Sequence, residues 1–126
     1  MRARTAPQKG QLGHDDFRRI ALALDGVVEG AHMGHPDFRA HGRIFATLHA
    51  DRLHGMVKLT PEQQARFMGG HPGFAPESGA WGRQGCTRVT LAATDAETLG
   101  EALTLAWQNV EAAKRKPAPS TRARRK

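Results

Sequence analysis

The sequence predicts a small α+β domain, and three observations carry that reading. Apolar residues recur at helical spacing near both ends, at Phe17, Ile20, Ala21 and Leu24 and again at Leu99, Ala102, Leu103, Ala106 and Val110. Between them Thr87, Val89 and Leu91 alternate with Cys86, Arg88 and Thr90, as the two faces of a strand do. The chain has 126 residues, enough for one domain with its own hydrophobic core and no disulfide or structural metal.

In order along the chain, residues 1–13 mix Arg, Pro, Gln and Gly without periodicity and are expected to form a disordered basic arm. The first helix follows. Asp15 and Asp16 suit the positive end of its dipole, and Asp25-Gly26 is its stop. From Val27 to Ala40 the glycines Gly30 and Gly34 and the proline Pro36 favour short extended pieces joined by a turn. Two β-prone runs, Arg43 to Leu48 and Gly55 to Leu59, then predict an antiparallel hairpin, with Val57 and Leu59 facing one way and Lys58 the other.

Thr60-Pro61-Glu62-Gln63 is a strong helix start: a Thr cap, Pro at the first helical position and Gln three residues on satisfy the orphan amides together. That helix should reach about Met68 and stop at Gly69-Gly70. From Phe74 to Leu91 a glycine-rich aromatic turn runs into a strand, with Gly79, Gly82 and Gly85 bracketing Trp81 and Arg83. Residues 79–85 are expected to be irregular turn, not helix. Thr94 and Glu97 repeat the capping-box spacing, so the longest helix should begin there. Both helices should start within two residues of Thr60 and Thr94, with the Val57-Leu59 and Val89-Leu91 pairs buried beneath helices. Residues 114–126 are expected to be a disordered basic tail around a folded domain of residues 14–113.

Charge location matters more than charge sum. Of the net +7, residues 1–13 and 114–126 together carry +10, so the body is −3. The single Cys86 excludes an internal disulfide and fits a reducing, cytoplasmic setting. No apolar run approaches the length of a membrane span.

Four stretches, HPDFRAHGRIFATL (35–48), VKLTPEQQ (57–64), GAWGRQGCTRVTL (79–91) and AWQNV (106–110), resemble the MmcQ/YjbR family in its own order. The resemblance covers about residues 14–113. It implies an antiparallel sheet with helices packed on one face, the CyaY-like or secretion-chaperone-like arrangement. It also implies DNA binding, the activity commonly described for the family, with two hairpin-like wings as the suggested contact surface. Cys86 stands where a tryptophan is more usual in the family, and both basic tails are additions to its pattern.

On this reading the protein is not an enzyme, takes no cofactor, and binds DNA chiefly through phosphates. The residues assigned to that contact are Arg39, Arg43, Lys58, Trp81, Arg83, Arg88, Lys114, Arg115 and Lys116. Trp81 has two readings: it folds back as a lid on the core, or it stands at a wing tip beside Arg83. Lys58, Arg88, Thr90 and Thr47 are expected to share the sheet face that no helix covers, with Arg39, Arg43 and Arg83 on its rim.

Other chemistries fit less well. His32, His35 and His41 match no compact zinc spacing and the lone cysteine adds no second sulfur, so no metal is expected. Nothing near Cys86 in sequence activates its thiol, and no GK[ST] follows the glycines to make a phosphate cradle. The alternative to DNA binding is a protein-interaction or chaperone-like module using the open sheet face. An enzyme would need a pocket of converging polar groups.

Overall fold

The computed structural model describes residues 12–115, with side chains for residues 12–113. The elements run α1 (His14–Leu22), β1 (Val28–His32), β2 (His35–Ala40), β3 (Arg43–Leu48), β4 (His54–Lys58), α2 (Pro61–Gly70), β5 (Phe74–Pro76), α3 (Gly79–Arg83), β6 (Cys86–Thr90) and α4 (Ala96–Arg115). A 3-10 turn over Leu91–Ala93 links β6 to α4. The six strands form one sheet in the order β1-β2-β3-β4-β6-β5, with antiparallel pairing throughout.

Alternation decides which face is covered. Phe38, Ala46, Leu48, Val57, Thr87 and Val89 turn inward and are fully buried against Phe17 of α1 and Leu99, Ala102, Leu103 and Ala106 of α4. Phe67 of α2 closes the other end over Phe74, with ring centroids 5.0 Å apart. A bulge opposite Phe38 and Arg39 lets Phe45 and Ala46 both point into the core and returns Ile44 to the uncovered face. The antiparallel sheet with helices on one face is therefore as expected, and Val57, Leu59, Val89 and Leu91 are all buried.

Capping chemistry sets the helix starts. At α2 the predicted box is complete: Gln63 N–H donates to Thr60 Oγ1 (3.2 Å) and Thr60 N–H donates to Gln63 Oε1 (2.9 Å). At α4 the cap is Asp95, not Thr94. Asp95 Oδ1 accepts from Thr98 N–H at 2.8 Å, while Thr94 is buried with its hydroxyl unpaired in the structure. Both helices nonetheless begin within two residues of the expected threonines.

Several expectations are corrected. The domain begins earlier than residue 14, because Leu12 is buried in the core and Gly13 N–H donates to Asp16 Oδ2 at 2.8 Å. It ends later than residue 113, because the backbone of Lys114 and Arg115 continues α4. Gly69 and Gly70 form the last turn of α2 instead of stopping it at Met68. Phe74–Pro76 is an edge strand within what reads as loop.

The largest correction falls on residues 79–85. Gly79–Arg83 is a one-turn helix, α3, and the irregular turn is confined to Gln84 and Gly85. Gly82 and Gly85 serve close contact. A Cβ on Gly82 would lie 1.9 Å from the Glu77 carbonyl oxygen, so only glycine lets α3 pack this close to the end of β5.

Candidate functional site

The uncovered face is built from residues alternate to the core. Asp37, Thr47, Met56, Arg88 and Ala75 form one row across β2, β3, β4, β6 and β5. Lys58 and Cys86 pair on the same face one step along, and His54 pairs with Thr90 on the other side. Lys58, Arg88, Thr90 and Thr47 thus share this face, as the alternation predicts.

Two raised elements border it. One is the β1–β2 hairpin, whose turn is made by Met33 (φ 51°) and Gly34 (φ 81°). The other is α3, which carries Trp81. Between them lies an open cleft of about 510 Å³ with Ile44, Thr47, Met56 and Cys86 along its lining, Met33 and His32 on one side, and Trp81, Ser78 and Glu77 on the other. Trp81 is 64% exposed, so it is not a lid on the core. Its position is imposed from behind, where Gln64 of α2 donates from Nε2 to the carbonyls of Gly82 and Cys86, each at 3.0 Å. No sequence signal marks Gln64 for that task, because its partners lie 18 and 22 residues away.

A second cleft, of about 610 Å³, adjoins the first along Ile44 and Lys58. Arg39 from β2, Arg43 from β3 and Lys58 from β4 converge there, opposite Thr60 and Pro61 at the start of α2 and Asn109 and Ala113 near the end of α4. Arg43 and Lys58 have no carboxylate partner among the described residues. Carboxylates lie mostly elsewhere: Asp15, Asp16, Glu62, Glu97, Glu101 and Glu111 belong to the helical layer, and Glu29 turns back to Arg18 of α1 at 3.0 Å. Glu77, at the cleft edge, is held by His49 at 2.7 Å.

Asp37 is the exception, a carboxylate buried on the open face. Oδ1 accepts from Arg39 Nε at 2.7 Å, and Oδ2 meets Arg39 at 3.1 Å and His32 Nδ1 at 2.7 Å. This clasp ties β1 to β2 within the hairpin and orients Arg39 at the rim. The Arg39 guanidinium first, and the His32 ring after it, hold the Asp37 carboxyl below the usual carboxylate range against the opposing effect of burial. A depressed folded-state pKa contributes stability that is present above the unfolded value, near 3.9, and lost as pH falls through the folded one. Asp37→Asn should therefore destabilise the domain by about 2 kcal/mol at pH 7. In urea unfolding the gap from wild type should narrow below about pH 4; a gap independent of pH would mean the clasp is not ionic.

Of the remaining predicted residues, Arg83 ends α3 in solvent and Arg88 lies half-buried between Met56 and Ala75, and neither lines either cleft. Lys114 and Arg115 follow Ala113 at the end of α4. Lys116 lies outside the described residues.

The histidines disperse. His32 and His35 lie tilted beside each other on the hairpin, with centroids 6.1 Å apart, whereas His41 reaches Glu111 of α4 at 3.3 Å. Among the described residues no three His, Cys, Asp or Glu side chains gather closely enough to hold a metal ion. Burial pushes the Cys86 thiol up, which favours its unreactive protonated form. No described helix is long and apolar enough to cross a membrane.

Comparison with known proteins gives two matches. The YjbR family model matches residues 22–109. The fold is similar to the crystal structure of Deinococcus radiodurans protein DR2400, which carries the family-model domain DUF419: 24% identity, 82% of each chain covered, TM-score 0.68. No curated protein matches.

Proposed function

The chain belongs to the YjbR family, and from that premise we propose that it is a non-enzymatic, cytoplasmic DNA-binding protein that grips phosphates in the cleft of Arg39, Arg43 and Lys58. One observation carries the reading: three cations from three adjacent strands line one cleft, and two of them, Arg43 and Lys58, have no carboxylate partner among the described residues. The near-neutral total charge of the domain therefore hides a positive side. The ends of the chain add cations in sequence on both flanks. Phosphate contacts of this kind position a nucleic acid without reading its bases.

The test is duplex binding by the full chain and its Arg43→Ala and Lys58→Ala variants at several salt concentrations. Each substitution should weaken binding similarly for every sequence and lower the salt slope by about one. Unchanged affinity and slope in the double variant would remove the cleft from the contact surface.

A second reading, a protein-interaction or chaperone-like module, draws on Val28 (61% exposed) and Met33 (91% exposed) on the β1–β2 hairpin, whose strand β1 is an unpaired sheet edge. Absence of any duplex binding at low salt would favour it.

A further inference from the structure

We infer that the apolar cleft on the open sheet face takes an unpaired nucleobase stacked on Trp81, so that the preferred ligand is single-stranded nucleic acid with its phosphates in the adjoining cationic cleft. This rests on the nucleic-acid reading of that cationic cleft and adds the strand state of the ligand.

A solvent-exposed indole on a short helix gains nothing for the fold. The Trp81 indole makes no hydrogen bond among the described residues, and α3 is anchored instead through Gln64 and the close approach of Gly82. The ring is thus held in place from behind and left uncovered in front, which is the geometry of a stacking platform. Ile44 and Met56 give the cleft an apolar lining, and Met33 stands across from Trp81, 91% exposed and unbranched, able to adapt to bases of different size. The volume of about 510 Å³ is that of a small-molecule site.

Charge complementarity selects the occupant. Lys58 lines both clefts, so a strand whose base lies against Trp81 has its phosphate beside Lys58 and the next phosphates toward Arg43 and Arg39. A duplex cannot use this arrangement, because the faces of its bases are already stacked on one another and only their edges reach the grooves. Met33, Ile44 and Met56, which line the cleft with Trp81, offer the base contact without hydrogen-bond readout, so stacking here should be tolerant of base identity.

The test compares the full wild-type chain with Trp81→Ala and Trp81→Phe. Each is titrated with oligothymidylate, an abasic oligomer of equal length and a blunt duplex, in enough salt to suppress contacts made by charge alone. Oligothymidylate should quench wild-type tryptophan fluorescence and bind Trp81→Ala roughly tenfold more weakly, with Trp81→Phe in between. The abasic oligomer and the duplex should bind all three proteins alike.

Equal oligothymidylate affinity for wild type and Trp81→Ala would overturn the inference. So would a Trp81→Ala defect of the same size with the abasic oligomer. If duplex binding then still depended on Lys58, the phosphate cleft would stand without the stacking site; if no nucleic acid bound, both would fall. Thermal melting of Trp81→Ala should match wild type, since the ring supports no core contact.

Discussion

Gly85→Ala should destabilise the domain by about 3 kcal/mol and lower its melting temperature by roughly 10–20 °C. Two costs combine. Gly85 adopts φ +110°, a conformation that L side chains rarely accept, and a Cβ there would lie 2.0 Å from the Leu59 carbonyl oxygen. The obstructing backbone cannot move aside easily. Thr60 N–H is bonded into the α2 cap, Asn109 donates to the Lys58 carbonyl at 3.1 Å, and Gly85 O itself accepts from Leu59 N–H and Thr87 Oγ1.

Gly79→Ala is the internal control. Its φ is +68°, yet nothing lies within 4 Å of the added carbon, so only backbone strain of about 1 kcal/mol is expected. Calorimetry on the two variants separates the effects. Equal melting temperatures would mean that the Leu59 contact yields and that only φ matters. Because Gly85 joins α3 to β6, the Gly85→Ala protein should also lose the fixed placement of Trp81.

The second large effect concerns salt. Trimming the chain to residues 12–115 removes eight cationic side chains and leaves a domain with a net charge of −1. Duplex affinity of the full chain should fall steeply with salt, because each neutralised phosphate releases counterions. Trimming should reduce the slope of log affinity against log salt by up to about seven and weaken binding at low salt by orders of magnitude. What remains should be the share carried by Arg39, Arg43 and Lys58. A trimmed domain with undiminished affinity and an unchanged slope would show that the ends contribute nothing.

Local chemistry was the legible part of this molecule. The Thr60-Gln63 box could be read because a cap is made by residues three apart, and the β6 faces because alternation is a property of consecutive residues. The same reasoning erred at Thr94 only by one position, where the neighbouring Asp95 is an equally good cap. The order of α1, β1 to β4, α2, β6 and α4 was likewise visible in the sequence, whereas β5 and α3 were not.

What the amino-acid sequence determined by itself, then, was the kind and order of all elements but β5 and α3 and which side of β4 and β6 is apolar, because those depend on neighbours in the chain. The tertiary structure alone decided that residues 79–83 are a helix with Trp81 outward, that Asp37 is the buried centre of a clasp, and that three cations on separate strands meet in one cleft. The physical reason is that each of these depends on groups distant in sequence. Gln64 must reach Gly82 and Cys86 across the α2–β6 gap, Glu77 and Leu59 must leave no room for a Cβ, and the pairing register must bring β2, β3 and β4 side by side. No periodicity in the sequence encodes those distances.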